Sequence, residues 1–162
     1  MGKLMTLRAL AEADIPEVAA LEAASQPRPW SPKVFADEIG RPDRRYVVAE
    51  DDSIVGFGGV MLVGDEAHVT NLLVDPARRG EGIGRSILTK LIALSVDSGA
   101  DHLTLEVRSQ NKAALALYRS FGLAPVGVRP KYYGDDDALI MWAHDIATTW
   151  SGATDGHEEA EL

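Results

Sequence analysis

The segment Val74-Asp75-Pro76-Ala77-Arg78-Arg79-Gly80-Glu81-Gly82-Ile83-Gly84-Arg85-Ser86 separates two kinds of periodicity in a chain of 162 residues. Before it, His68 to Val74 reads as a strand; after it, Ile83, Ile87, Leu88, Leu91, Ile92 and Leu94 recur on one side of a helix that Gly99 ends. The segment is thus a strand end, a turn, and glycines spilling into a helix start. Such a turn exposes backbone N–H groups with no side chains in the way. The helix N-terminus adds partial positive charge, so the place suits a phosphate or pyrophosphate. Arg78, Arg79 and Arg85 reinforce that charge. A glycine-rich turn with solvated arginines is the competing reading, and glycines alone do not separate the two. Neither familiar phosphate motif fits. A P-loop needs Gly-Lys-Ser/Thr, which the chain lacks, and a Rossmann fingerprint from Gly80 needs Gly or Ala where Arg85 stands.

Upstream, the pattern predicts a strand from Leu4 to Ala9, then a helix with Asp14 as N-cap, Pro16 in its first turn, and Ile15, Val18 and Leu21 at helical spacing. Ser31-Pro32 opens a second helix that Gly40 stops. From Tyr46 the period becomes two. Tyr46 to Glu50, Ile54 to Val63 and His68 to Val74 then form an antiparallel meander through turns at Asp51-Asp52-Ser53 and Gly64-Asp65. Downstream lie a strand His102 to Arg108, a helix Lys112 to Phe121 closed by Gly122, and strands Ala124 to Arg129 and Ala138 to His144. The order β-α-α-β-β-β-α-β-α-β-β describes an α/β domain, α+β by some schemes: a mixed central sheet flanked by helices. The domain is expected over residues 1–146, with 147–162 a flexible acidic tail carrying Asp155, Glu158, Glu159 and Glu161.

Composition removes several classes. The chain has no cysteine, which excludes thiolate zinc sites, Fe–S clusters, disulfides and a thiol nucleophile. A formal charge of −9 argues against general nucleic-acid binding, which depends on Lys and Arg neutralising phosphates, and suits a basic partner. No apolar run reaches the roughly 18 residues of a membrane span, and the start shows no signal-like stretch before Arg8, so a cytoplasmic protein is expected. The four histidines have no metal-like spacing.

Two further segments carry chemistry. In the strand from His102, Leu103, Leu105 and Val107 share one face, which leaves Thr104, Glu106 and Arg108 on the other. Glu106 then sits in the interior or on a cleft, either as a working carboxylate or in an ion pair, with Arg108 as a candidate partner. In the following helix Tyr118 and Phe121 point the same way, and Tyr118 is open to both core packing and chemistry. Asn111 is either an N-cap or a ligand contact.

Taken together, Val74-Asp75-Pro76, Arg79-x-x-Gly82-x-Gly84, Leu105-Glu106-Val107-Arg108, Asn111 with Ala116-Leu117-Tyr118, and Phe121-Gly122 resemble the GNAT N-acetyltransferases. Pro29-Trp30-Ser31 and Lys131-Tyr132-Tyr133 extend the resemblance over Leu7 to Asp145. Within the family it is similar to members that acetylate the N-terminal alanine of a small-subunit ribosomal protein. The resemblance implies the GNAT fold and acetyl-CoA as co-substrate, with no metal. It implies that Leu72, Leu73 and Val74 hold the pantetheine arm through strand backbone groups. Arg79, Gly80, Glu81, Gly82, Ile83, Gly84 and Arg85 would receive the pyrophosphate, and Asn111 would contact the cofactor. Glu106 would be the general base and Tyr118 the general acid. Trp30, Tyr132 and Tyr133 fall where the acceptor is expected: the N-terminal peptide of a protein, with a basic ribosomal protein as partner and neither nucleic acid nor membrane. Arg28 departs from the apolar residue common before Pro-Trp, and Gly134-Asp135-Asp136-Asp137 is unusually acidic, both on the acceptor side.

The residue types suit acyl transfer. An α-amine with pKa near 7.7–8.0 is roughly 10% neutral at pH 7, and a lysine near 10.4 is about 250-fold less so. A carboxylate can take the proton as the amine attacks, and a phenol can protonate the departing thiolate. A strand N–H near Val74 can hydrogen-bond the thioester carbonyl as it becomes an oxyanion. A lysine, polyamine or antibiotic amine as acceptor, and a non-catalytic module that senses acyl-CoA, are the alternatives.

Overall fold

A computed structural model describes residues 5–134 and 136–149. Seven strands, β1 (Thr6–Ala9), β2 (Arg44–Glu50), β3 (Ile54–Val63), β4 (Glu66–Val74), β5 (His102–Arg108), β6 (Ala124–Arg129) and β7 (Ala138–His144), form one sheet in the order β1-β2-β3-β4-β5-β7-β6. The α-helices α1 (Ile15–Ser25), α2 (Pro32–Ile39), α3 (Ile83–Asp97) and α4 (Lys112–Ser120) accompany them, and residues 146–149 are helical as well. The expected order of elements is the observed one. Of the flexible tail expected from 147, residues 147–149 are helical and those from 150 onward lie outside the described residues, as does Asp135.

Alternation within β2 shows how the sheet serves two cores. Val47 and Ala49 join the cluster built on Ile87, Leu88, Leu91 and Leu115 of α3 and α4, while Tyr46 and Val48 join Val18 of α1 and Phe35 of α2. Helices therefore cover both faces, α1 and α2 on one and α3 and α4 on the other. The glycines inside β3 let α3 lie close. A Cβ on Gly58 would stand 2.7 Å from Ile87 Cγ2 and 3.1 Å from the Asn71 carbonyl.

Several local expectations need correction. Asp14 does not cap α1; its backbone is already helical, and its carboxylate instead accepts from the Ala11 N–H at 2.8 Å and from two nitrogens of Arg8 at 2.7 and 2.8 Å. A short 3₁₀ turn, Glu12–Asp14, occupies the place of the expected cap. Ser31 does cap α2, accepting from the Val34 N–H, and Gly40 ends that helix without a left-handed residue. Strands β2 and β4 begin two residues earlier than their apolar patterns suggest, because ladder bonds continue past the last apolar side chain. β4 has two roles: it closes the antiparallel meander and opens a parallel crossover through α3 into β5.

Candidate functional site

The parallel pairing of β4 with β5 covers only Glu66↔His102, Ala67↔Leu103 and His68↔Thr104. Beyond it β4 runs on to Val74 and β5 to Arg108 with no ladder between them. A register shift in the β3–β4 ladder at Gly59/Val60 accompanies the parting; Asn71 pairs with Gly59 and Val69 with Val60, so Thr70 is the extra residue. The sheet is thereby split on the C-terminal side of both strands. Side chains from its two faces reach the same space.

Two cavities fill that space. One, about 270 Å³, is lined by Glu106, Tyr133 and Tyr118, with Glu22 and Asn71. The other, about 540 Å³, runs along Val74, Arg79, Gly80, Gly82, Gly84 and Arg85. Leu72, Leu73, Asn111 and Tyr118 line both, so the cavities meet at these residues.

The glycine turn leaves its backbone N–H groups open. Gly80 and Gly82 have φ of +84° and +83°, and a Cβ at either position would meet nothing within 4 Å, so backbone conformation and not crowding calls for glycine there. Gly82 precedes α3 with no side-chain cap, and among the described residues no protein group accepts from the backbone N–H groups of residues 79–85. These residues fit the diphosphate that the resemblance implies. The arginines divide. Arg78 is held by Glu81 at 2.9 Å and Asp51 at 2.8 Å, so it neutralises those carboxylates instead of adding to the turn's charge. Glu81, spent on Arg78, does not line the cavity. Arg85 donates to the Ser120 hydroxyl at 3.0 Å and lies over the Phe121 ring, and Arg79 has no ion pair among the described residues.

Asn111 caps α4 through an oxygen that accepts from the Ala114 N–H at 3.1 Å, and it lies at the junction of the cavities. Tyr118 is 7% exposed, and its hydroxyl makes no hydrogen bond among the described residues. Burial, with the neighbouring Tyr133 phenol, pushes its pKa up to about 12. Glu106 Oε2 lies 2.6 Å from Arg129 Nε of β6, a pairing across the sheet that no local spacing announces, yet no N–H is aimed at that oxygen and it has no hydrogen-bond donor. The Arg108 guanidinium stacks on Tyr133, 4.4 Å from the ring centroid. Burial and the Glu106 carboxylate raise the Tyr133 pKa.

The three acceptor-side aromatics part company. Tyr133 lines the smaller cavity. Tyr132, 54% exposed, packs edge-on to Tyr133 at 5.1 Å and lines neither cavity. Trp30 packs edge-on against Phe35 and Tyr46 and contributes to the core beneath α2. Sequence reasoning missed Glu22 and Asn71. A signal existed for Glu22: it continues the stripe Ile15, Val18, Ala19 at helical spacing, so an acid stands on the buried face of α1. Asn71 owes its place to the bulge, which sequence pattern does not reveal.

The model of the Acetyltransferase (GNAT) family matches residues 15–123. The [ribosomal protein bS18]-alanine N-acetyltransferase of Escherichia coli strain K12 is 35% identical over 140 residues, covering 84% of this chain and 95% of that protein. The N-alpha-acetyltransferase RimI of Mycobacterium tuberculosis is 40% identical over 136 residues, covering 80% and 84%. The crystal structure of the ribosomal-protein-S18-alanine N-acetyltransferase from Escherichia coli superposes with a TM-score of 0.80 at 33% identity, over 88% of this chain and 94% of that one. With a parted parallel strand pair, a glycine turn opening α3 and relatives of this identity over most of its length, the chain belongs to the GNAT family of acetyltransferases.

Proposed function

We propose that this protein transfers acetyl from acetyl-CoA to the N-terminal α-amine of a protein, with the N-terminal alanine of a small-subunit ribosomal protein as its acceptor. The observation that carries the reading is the meeting of the two cavities at Tyr118, with Glu106 across the smaller one. The named activities of the relatives support the same acceptor. Such an acceptor places the protein in the cytoplasm.

On this reading the amine enters the smaller cavity and the thioester arrives from the larger. Glu106 accepts a proton from the amine, directly or through water, as nitrogen attacks the carbonyl carbon; the carbon–sulfur bond breaks, and Tyr118 gives its phenolic proton to the departing sulfur. A free β4 backbone N–H near Val74 stabilises the developing oxyanion. Nitrogen bonds directly to the acetyl carbon, so no acyl-enzyme forms and both substrates are bound together. The N–H groups of residues 79–85 and the Arg79 guanidinium hold the diphosphate.

The test compares two peptides. One begins with alanine, and the other has the same sequence with a blocked N-terminus and one internal lysine. Acetylation is expected on the first with a preference of at least about a hundredfold, as the difference in neutral amine at pH 7 implies. Equal rates on the two would overturn the α-amine assignment. A non-catalytic acyl-CoA-sensing module would instead keep its biological output in both Glu106→Gln and Tyr118→Phe and lose it on damage to the glycine turn.

A further inference from the structure

The smaller cavity is rich in acceptors that lack donors. Asn71 Oδ1 and Glu106 Oε2 are buried with no hydrogen-bond partner, and both residues line it; Glu106 Oε2 has a charge partner in Arg129, whose Nε lies 2.6 Å away, so among the described residues the carboxylate here without a cation is that of Glu22. Glu22 lines it as well, at 5% exposure. One Glu22 oxygen accepts from the Trp30 backbone N–H at 2.6 Å; the other accepts nothing from the described residues, and no lysine or arginine among them pairs with this carboxylate. A buried carboxylate with one neutral donor is costly, as the upward shift of its pKa by burial records. Acceptors with spare lone pairs facing one cavity are complementary to a group made only of donors and carrying positive charge. A primary ammonium is such a group. The cation already in the wall, Arg108, is stacked on Tyr133. It stands on β5, whereas Glu22 stands on α1.

We propose that Glu22 and Asn71 form, with Glu106, the cradle that receives the acceptor's terminal amine as an ammonium ion, and that Glu22 selects for that charge. This rests on the proposed α-amine acceptor and extends it to the form in which the amine docks. The arriving cation supplies the charge partner Glu22 lacks. Glu106 takes the first proton and releases it to solvent water, leaving a neutral amine, and its carboxylate then accepts the second proton as nitrogen bonds to the acetyl carbon. N-acetylation removes both the charge and two of the donors, so the product loses its hold on Glu22 and leaves. Glu22 also acts on shape: its bond to Trp30 fixes the chain between α1 and α2.

The experiment separates charge from shape and from the acceptor assignment. Glu22→Gln keeps an oxygen for the Trp30 N–H and removes only the charge. For the alanine-starting peptide it is expected to raise KM about ten- to a hundredfold, with kcat at saturating peptide and KM for acetyl-CoA within about twofold. Asn71→Leu should raise the same KM by a smaller factor. Independently of any variant, the wild-type protein loaded with CoA should bind the free-amine peptide at least about tenfold more tightly than the same peptide with its α-amino group replaced by hydrogen. An unchanged peptide KM in an active Glu22→Gln variant, or equal binding of the two peptides, would overturn the cradle. Wild-type inactivity on the alanine peptide, with the ammonium preference intact, would instead remove the acceptor assignment and leave the cradle standing.

Discussion

At the residue scale, burial gives Tyr118 its chemical character. A phenol raised to about 12 is protonated throughout the working range, as a proton donor to a thiolate must be. Two outcomes are expected. Tyr118→Phe lowers kcat about a hundredfold or more with little change in KM for acetyl-CoA, read in steady-state kinetics. The difference in tyrosinate absorbance between wild type and Tyr118→Phe stays flat through about pH 10, where an ordinary phenol would be half ionised. Ionisation of Tyr118 at that ordinary midpoint would contradict its buried placement. Glu106 and Tyr118 were both legible as candidates from spacing alone, because one stands on the strand face opposite Leu103, Leu105 and Val107 and the other shares a helix face with Phe121. Their meeting was not, since it depends on two strands parting. Glu22 was legible in principle, as an acid on the buried stripe of α1.

At the scale of elements, what could be read follows from which interactions are local. Strands β3, β5, β6 and β7 begin and end where their patterns said, because turns and apolar alternation sit within a few residues of each boundary. The start of α1 was misread, because Asp14 has a better partner than the helix N-terminus. Arg8, six residues away across a turn, binds it with two nitrogens and also reaches Glu50 of β2 at 3.0 Å. Arg8 holds the Asp14 carboxyl below the usual carboxylate range. A depressed folded pKa contributes stability above the unfolded value, near 3.9, that is lost as pH falls through the folded value. Asp14→Asn should therefore lower the urea midpoint at pH 7 and lower it progressively less as the pH drops below about 3.9. A second expectation concerns the closeness of β3 and α3. Gly58→Ala forces a methyl against Ile87 and Leu91, both fully buried, and against the Asn71 carbonyl, at a cost of about 1–3 kcal/mol in urea unfolding. The same displacement would move Asn71 at the split, so peptide KM should rise with it.

At the scale of the molecule, the sheet is a scaffold for one gap. Residues 44–74 make three long antiparallel strands, residues 102–144 make the β5, β7, β6 layer, and the two blocks share only three paired residues before they diverge. Helix α3 spans the junction, putting its N-terminus at one mouth of the gap, and α4 brings Tyr118 into its middle. A family model and relatives over most of the chain agree with that architecture. The central claim is that the two cavities are one path on which amine and thioester meet. A single conjugate tests it most directly: CoA joined through an acetyl bridge to the α-nitrogen of the alanine-starting peptide. Calorimetry should find it binding about a hundredfold or more tightly than CoA or the peptide alone, and it should compete against both, since one ligand then fills both cavities. A conjugate that binds no better than CoA and fails to displace the peptide would show that the cavities do not communicate, contradicting direct transfer.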